Sequence, residues 1–181
     1  MVDTNSRAQE LFIAYYGNYF QMHRAGELEE YKSYEIAKET ETAWFDVMIA
    51  KNASELSIRN WDAVLELLSI AKNNPDPIIV EHVMAFANRH VKSSDSIVKL
   101  MYAENMIEII KLVRSKASTE LLHQAYKSAA QLLDDVMSSA LIIDPGHDLK
   151  SLNLKDKKSL NHRAAINIEM IKEMLAEDQQ A

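Results

Sequence analysis

The sequence predicts an all-α protein, and three observations carry that reading: glycine and proline are scarce, apolar residues recur at helical spacing, and short polar breaks separate the runs. Only 3 Gly and 3 Pro are present, whereas turn-rich β architectures need both at many positions of special backbone geometry. The chain has 181 residues, of which 48% are apolar and 26% charged, so one globular domain spanning 1–181 is expected.

The apolar spacing predicts seven helices. The first runs from about Ser6 to Arg24, with Leu11, Tyr15, Phe20 and Met22 near one helical turn apart and Gly26 as its stop; Tyr15, Tyr16, Tyr19 and Phe20 are read as core. The second, about Leu28 to Lys51, starts acidic and packs through Trp44, Phe45, Val47, Met48 and Ile49. The third follows Ser57 as N-cap and ends at Asn73-Asn74-Pro75-Asp76-Pro77. The fourth begins at Pro77, a good first-turn residue, and reaches about Val91. The fifth covers Ser96 to Lys116. The sixth opens at Ser118 and extends to about Ile143, where Asp144-Pro145-Gly146 closes it. After a loop the seventh, about Asp156 to Glu177, carries Leu160, Ala164, Ile168, Ile171 and Leu175 as its stripe. Residues 1–56 thus read as an N-terminal helical hairpin, 57–143 as two repeat-like hairpins, and 144–181 as a loop with a capping helix.

Residues 64 to 91 align without a gap on 106 to 133, an offset of 42 residues. Apolar falls on apolar at 12 of 28 positions and polar on polar at 10, with the polar break in the same place, so the likeness is one of pattern. The segment IVKLMYAENMIEIIKLVRSKASTELLHQAYKSAAQLL, residues 97 to 133, resembles an armadillo or HEAT repeat in its order of helices and in the repeat length of roughly 40 to 47 residues. That resemblance implies a short α-solenoid with extra capping helices; the alternative is an irregular helical bundle. It further implies a protein partner held on the last helix of each unit. The asparagine that such repeats use to hold a peptide is replaced here by Arg89 and Gln131.

Composition limits the chemistry. Cysteine is absent, which removes disulfides, zinc ribbons and thiol nucleophiles and suits a reducing, cytoplasmic home. The polar start MVDTNSRAQE and the lack of a long apolar run predict neither a signal peptide nor a membrane span. A formal charge of −7 opposes broad attraction to nucleic acid, and no phosphate loop, nucleophile elbow or dinucleotide fingerprint is present. No cofactor and no metal ligand is assigned.

The reading that follows is a non-enzymatic protein-binding or adaptor module that uses the polar surface of the fourth and sixth helices, through Glu81, Arg89, His123, Lys127 and Gln131. A second copy of the chain is the other partner considered. One alternative is a metal-dependent hydrolase: His147-Asp148, with His123 upstream, resembles the His-Asp phosphohydrolases, and Glu120-Leu121-Leu122-His123 has the spacing of one half of a di-iron site. Another alternative is nucleic-acid binding through Lys150, Lys155, Lys157, Lys158 and Arg163, five cations against Asp156 and hence a local +4. Residues 27–46 hold seven acids against two lysines, net −5, an acidic face that the basic stretch could pair with inside the chain.

Overall fold

Helix caps decide where most elements begin. The computed structural model describes residues 4–180, and among them nine α-helices follow one another: α1 (Thr4–Ala14), α2 (Tyr19–Ala25), α3 (Leu28–Ser33), α4 (Lys38–Ser54), α5 (Asp62–Asn73), α6 (Pro77–Arg89), α7 (Ser96–Val113), α8 (Thr119–Ser138) and α9 (Lys157–Asp178). Short 3-10 turns occupy Val91–Ser93 and Leu149–Leu152, and no strand occurs among the described residues. Asn18, Asp76, Asp95, Ser118 and Asp156 each accept a backbone N–H from the first turn of the helix they precede, satisfying donors that have no intrahelical acceptor. No described helix is long and apolar enough to cross a membrane.

The seven expected helices become nine because two of them break. The first is interrupted where Tyr16 and Gly17 take positive φ of 52° and 70°, after which Asn18 caps a new helix. The second breaks at Glu35, φ 49°, between α3 and α4. The broken geometry lets α1, α3 and α4 meet at Phe12, whose ring lies 4.8 Å from Phe45, 5.3 Å from Trp44 and 6.1 Å from Tyr31. Of the four aromatics read as core, Tyr15 and Tyr16 are half-buried, whereas Tyr19 and Phe20 are on the surface, 46% and 67% exposed.

Two other boundaries move for tertiary reasons. Ser57 is not an N-cap: the buried Tyr102 hydroxyl accepts from its backbone N–H at 3.1 Å and donates to its carbonyl at 2.8 Å, so the chain stays irregular until α5 opens at Asp62. The sixth expected helix, α8, stops at Ser138 and not at Ile143. Beyond it, Ile142 exchanges hydrogen bonds with Ser96, its carbonyl accepting the Ser96 N–H at 2.9 Å and its N–H reaching Ser96 Oγ at 3.1 Å, contacts that a continuing helix would forbid.

The core is organised by α7, which is buried along most of its length: Ile97, Leu100, Tyr102, Met106, Ile107, Ile109 and Ile110 are at most 1% exposed, and only Glu108 and Lys111 near its end are exposed. A helix buried to this extent must be enclosed by others. Here α5, α6, α8 and α9 surround it, α4 packs on α5, and α1 packs on α4. Both α6 and α8 bury one stripe, Ile79, Val80, Val83 and Ala87 in the first and Leu122, Tyr126, Ala129 and Leu133 in the second, and leave the opposite stripe in water.

Two substitutions test these arguments. Tyr102→Phe strands the Ser57 backbone groups and should lower the unfolding free energy by about 1–3 kcal/mol in urea titration; an unchanged midpoint would show that water replaces the hydroxyl. Gly17→Ala puts a Cβ 2.6 Å from Phe45 Cζ and 2.8 Å from Phe12 Cζ at a positive φ, so a loss of roughly 1–3 kcal/mol is expected.

Candidate functional site

The five residues singled out on the sequence all lie on the outer stripes of α6 and α8. Glu81, Arg89, His123, Lys127 and Gln131 are exposed. His123, Lys127 and Gln131 follow one another at four-residue spacing, which stacks them along one face of α8. None of the five side chains makes a hydrogen bond or ion pair with another described residue, in contrast to the half-buried Arg163, which forks onto Glu104 at 2.6 and 2.7 Å, and Arg114, which binds Glu177 at 2.8 Å and Asp178 at 2.5 Å.

Three grooves run beside α8. Between α6 and α8 a cavity of about 280 Å³ is lined by Met84, Asn88, Lys92, Gln124, Lys127 and Gln131. It continues toward the end of α8 into a depression of about 500 Å³ that Lys127 and Gln131 share with Asp134. On the other side, toward α9, His123 and Lys127 border about 360 Å³ with Ile171, Leu175 and Gln179. Lys127 lines all three grooves. Glu81 and Arg89 line none of them, so the structure groups the α8 residues and leaves those two apart.

Sequence reasoning missed Asn88, Lys92 and Gln124. Asn88 rather than its neighbour Arg89 turns toward α8, where its Oδ1 accepts from the buried Ser128 hydroxyl at 2.7 Å and staples the two helices. Lys92 was hidden because it stands on the 3-10 turn beyond α6, outside any helical stripe.

The residues of the hydrolase reading are not brought together. The His147 Nδ1–H donates to Asp95 at 2.5 Å rather than engaging Asp148, whose carboxylate accepts the Lys150 N–H at 2.9 Å. His123 stands exposed on α8. Among the described residues no three His, Asp or Glu side chains are grouped to hold a metal ion.

The basic stretch is partly consumed inside the fold. Arg163 holds Glu104 and the Leu152 carbonyl, and Lys157 donates to the Val136 carbonyl, with burial lowering its pKa. The acidic N-terminal face is met instead by Arg7, 3.0 Å from Glu30 and 3.9 Å from Glu27, so among the described residues the basic stretch forms no ion pair with it.

Asp95 is a polar hub away from these grooves. Its side chain is fully buried and accepts from Val98 N–H at 2.8 Å, Asp144 N–H at 2.9 Å and His147, tying the start of α7 to the loop after α8. The imidazole lies 5.4 Å from the Trp61 ring. Asp95 raises the His147 pKa above its usual 6.5, with burial opposing and Asp144 adding to the rise.

Compared with known proteins, the chain matches no family model, no curated protein and no solved structure.

The His147 shift has a definite sign. A raised native pKa means the protonated pair stabilises fully below the unfolded value of 6.5, and that stabilisation fades as pH rises through the native value. The stability difference between wild type and His147→Gln, from urea unfolding between about pH 5 and about pH 8, should therefore be largest at the acid end. A difference that grows with pH would overturn the pairing.

Proposed function

We propose that the chain is a non-enzymatic protein-binding module whose contact surface is the outer face of α6 and α8. The observation that carries this is the run of exposed side chains without intramolecular partners, His123, Lys127 and Gln131, beside the grooves that flank α8. A solvated cation such as Lys127, lining a groove on a protein of net charge −7, is available to a partner at little cost in broken contacts.

The architecture supports the same reading. The α5–α6 and α7–α8 hairpins repeat one pattern at an offset of 42 residues, and α5 lies against α7 while α6 lies against α8, the neighbour relations that stacked repeats require. In this reading α1 to α4 and α9 cap a short solenoid of armadillo or HEAT kind. Such a solenoid offers an extended polar face in place of an enclosed pocket. The absence of cysteine suits action in the cytoplasm.

The test is a double substitution, Lys127→Glu with Gln131→Glu, at exposed positions where stability should change by less than about 0.5 kcal/mol. Tagged wild-type chain retained on a resin should hold a protein in stoichiometric amount. The double variant, verified as folded by its melting curve, should hold it at least about tenfold more weakly. A partner retained equally by both would sink the assignment of this face.

A further inference from the structure

A groove far along the chain from α8 residues 123–131 shows a different chemistry. It lies between the end of α1, the second half of α4 and the start of α5, and has a volume of about 490 Å³. Its apolar surface comes from Ile13, Val47, Met48 and Ala63. Met48 and Ala63 are buried, but Ile13 is 42% and Val47 57% exposed, so α1 and α4 leave apolar surface open to water at one place. Acids border it: Glu55, Asp62 and Glu66, against the single cation Lys51.

The shape selects among kinds of occupant. Strand addition of a peptide needs a sheet edge, and no strand exists among the described residues. A proline-rich peptide needs a row of aromatic rings, whereas the groove has only Tyr16, whose hydroxyl is bound to Glu66. Walls made of helices, with one wall running from Val47 to Glu55 and so roughly 12 Å long at the rise of a helix, match about two turns of a helical ligand. Apolar anchors would seat against Ile13 and Val47. The acidic border then favours lysine or arginine on the ligand's flanks and repels anionic lipid or nucleic acid.

We propose that the groove between α1, α4 and α5 docks a basic amphipathic helix of a partner protein. The site uses none of the α6 and α8 residues assigned above.

The test is fluorescence anisotropy of the full chain with a labelled 14-residue peptide of leucine and lysine, leucines at i, i+3, i+4 and i+7, alongside its leucine–glutamate counterpart and a strictly alternating leucine–lysine control. The helical lysine peptide should bind, more weakly as salt rises, and both other peptides should bind at least about tenfold less. Val47→Glu separates seating in the groove from general attraction. It adds an acid, so charge alone predicts tighter binding, whereas docking predicts a loss of at least about tenfold. Ile13→Glu repeats the test from the opposite wall, and melting curves verify both folds. Lys127→Glu with Gln131→Glu should leave this binding unchanged, so failure here and failure of the α8 face are distinguishable. The proposal is overturned by equal binding of the three peptides, by undiminished binding to Val47→Glu and Ile13→Glu, or by a wild-type dimer in sedimentation velocity that Val47→Glu dissociates, which would assign the groove to a second copy.

Discussion

Burial of most of α7 constrains everything around it. Thirteen of its residues are buried and only Glu108 and Lys111 are exposed, so the neighbouring helices α5, α6, α8 and α9 must turn their own apolar stripes inward to cover it. Polar groups on such a helix cannot remain unmatched. Lys99 is accordingly paired with Asp135, Asn105 donates to the Met101 carbonyl at 2.7 Å, and half-buried Glu104 receives Arg163 and Asn167. These three attachments reach α8, α7 itself and α9, and they orient the helix pairs as well as satisfying the buried groups.

The same constraint explains why the outer face of α8 carries free side chains. Once Asp135 is spent on Lys99 and Tyr126 Oη donates to Asp178 at 2.9 Å, the inward half of α8 holds the fold together. His123, Lys127 and Gln131, on the other half, are left with no structural duty. A surface so relieved can change without loss of stability. That is the condition under which recognition can be built onto a scaffold, and the argument stands on the fold's polar matching rather than on any family likeness.

Legibility in the sequence followed the range of the interactions concerned. The cap at Ser118 and the breaker Asn73-Asn74-Pro75-Asp76-Pro77, with Pro77 in the first turn of α6, are local features, and they were readable residue by residue. The break at Gly17-Asn18 also had a local signal, a glycine able to take positive φ followed by a capping residue, although aromatic spacing outweighed it in the reading. Glu35 had none, since a glutamate seldom takes the positive φ it adopts here. The early end of α8 and the displaced start of α5 depend on Ser96, Asp95 and Tyr102, each about 45 to 52 residues from its partner, a separation no helical period reports. His147 drew attention through its neighbour Asp148, yet its partner is Asp95, for the same reason.

The two surfaces differ in the sign and polarity of what they present, and this bears on how one small chain could serve two partners. The α8 grooves offer lysines and amides, while the groove between α1, α4 and α5 offers apolar side chains bordered by acids. An acidic ligand suited to Lys92 and Lys127 meets like charge at Glu55, Asp62 and Glu66, and a basic helix seated on Val47 gains little from the lysine-lined side. Discrimination then arises from repulsion at the wrong site as much as from attraction at the right one. Between the two surfaces stands the densely buried α7, packed on α5 at one side and on α6 and α8 at the other. The two surfaces share no lining residue, so a substitution at one leaves the side chains of the other in place.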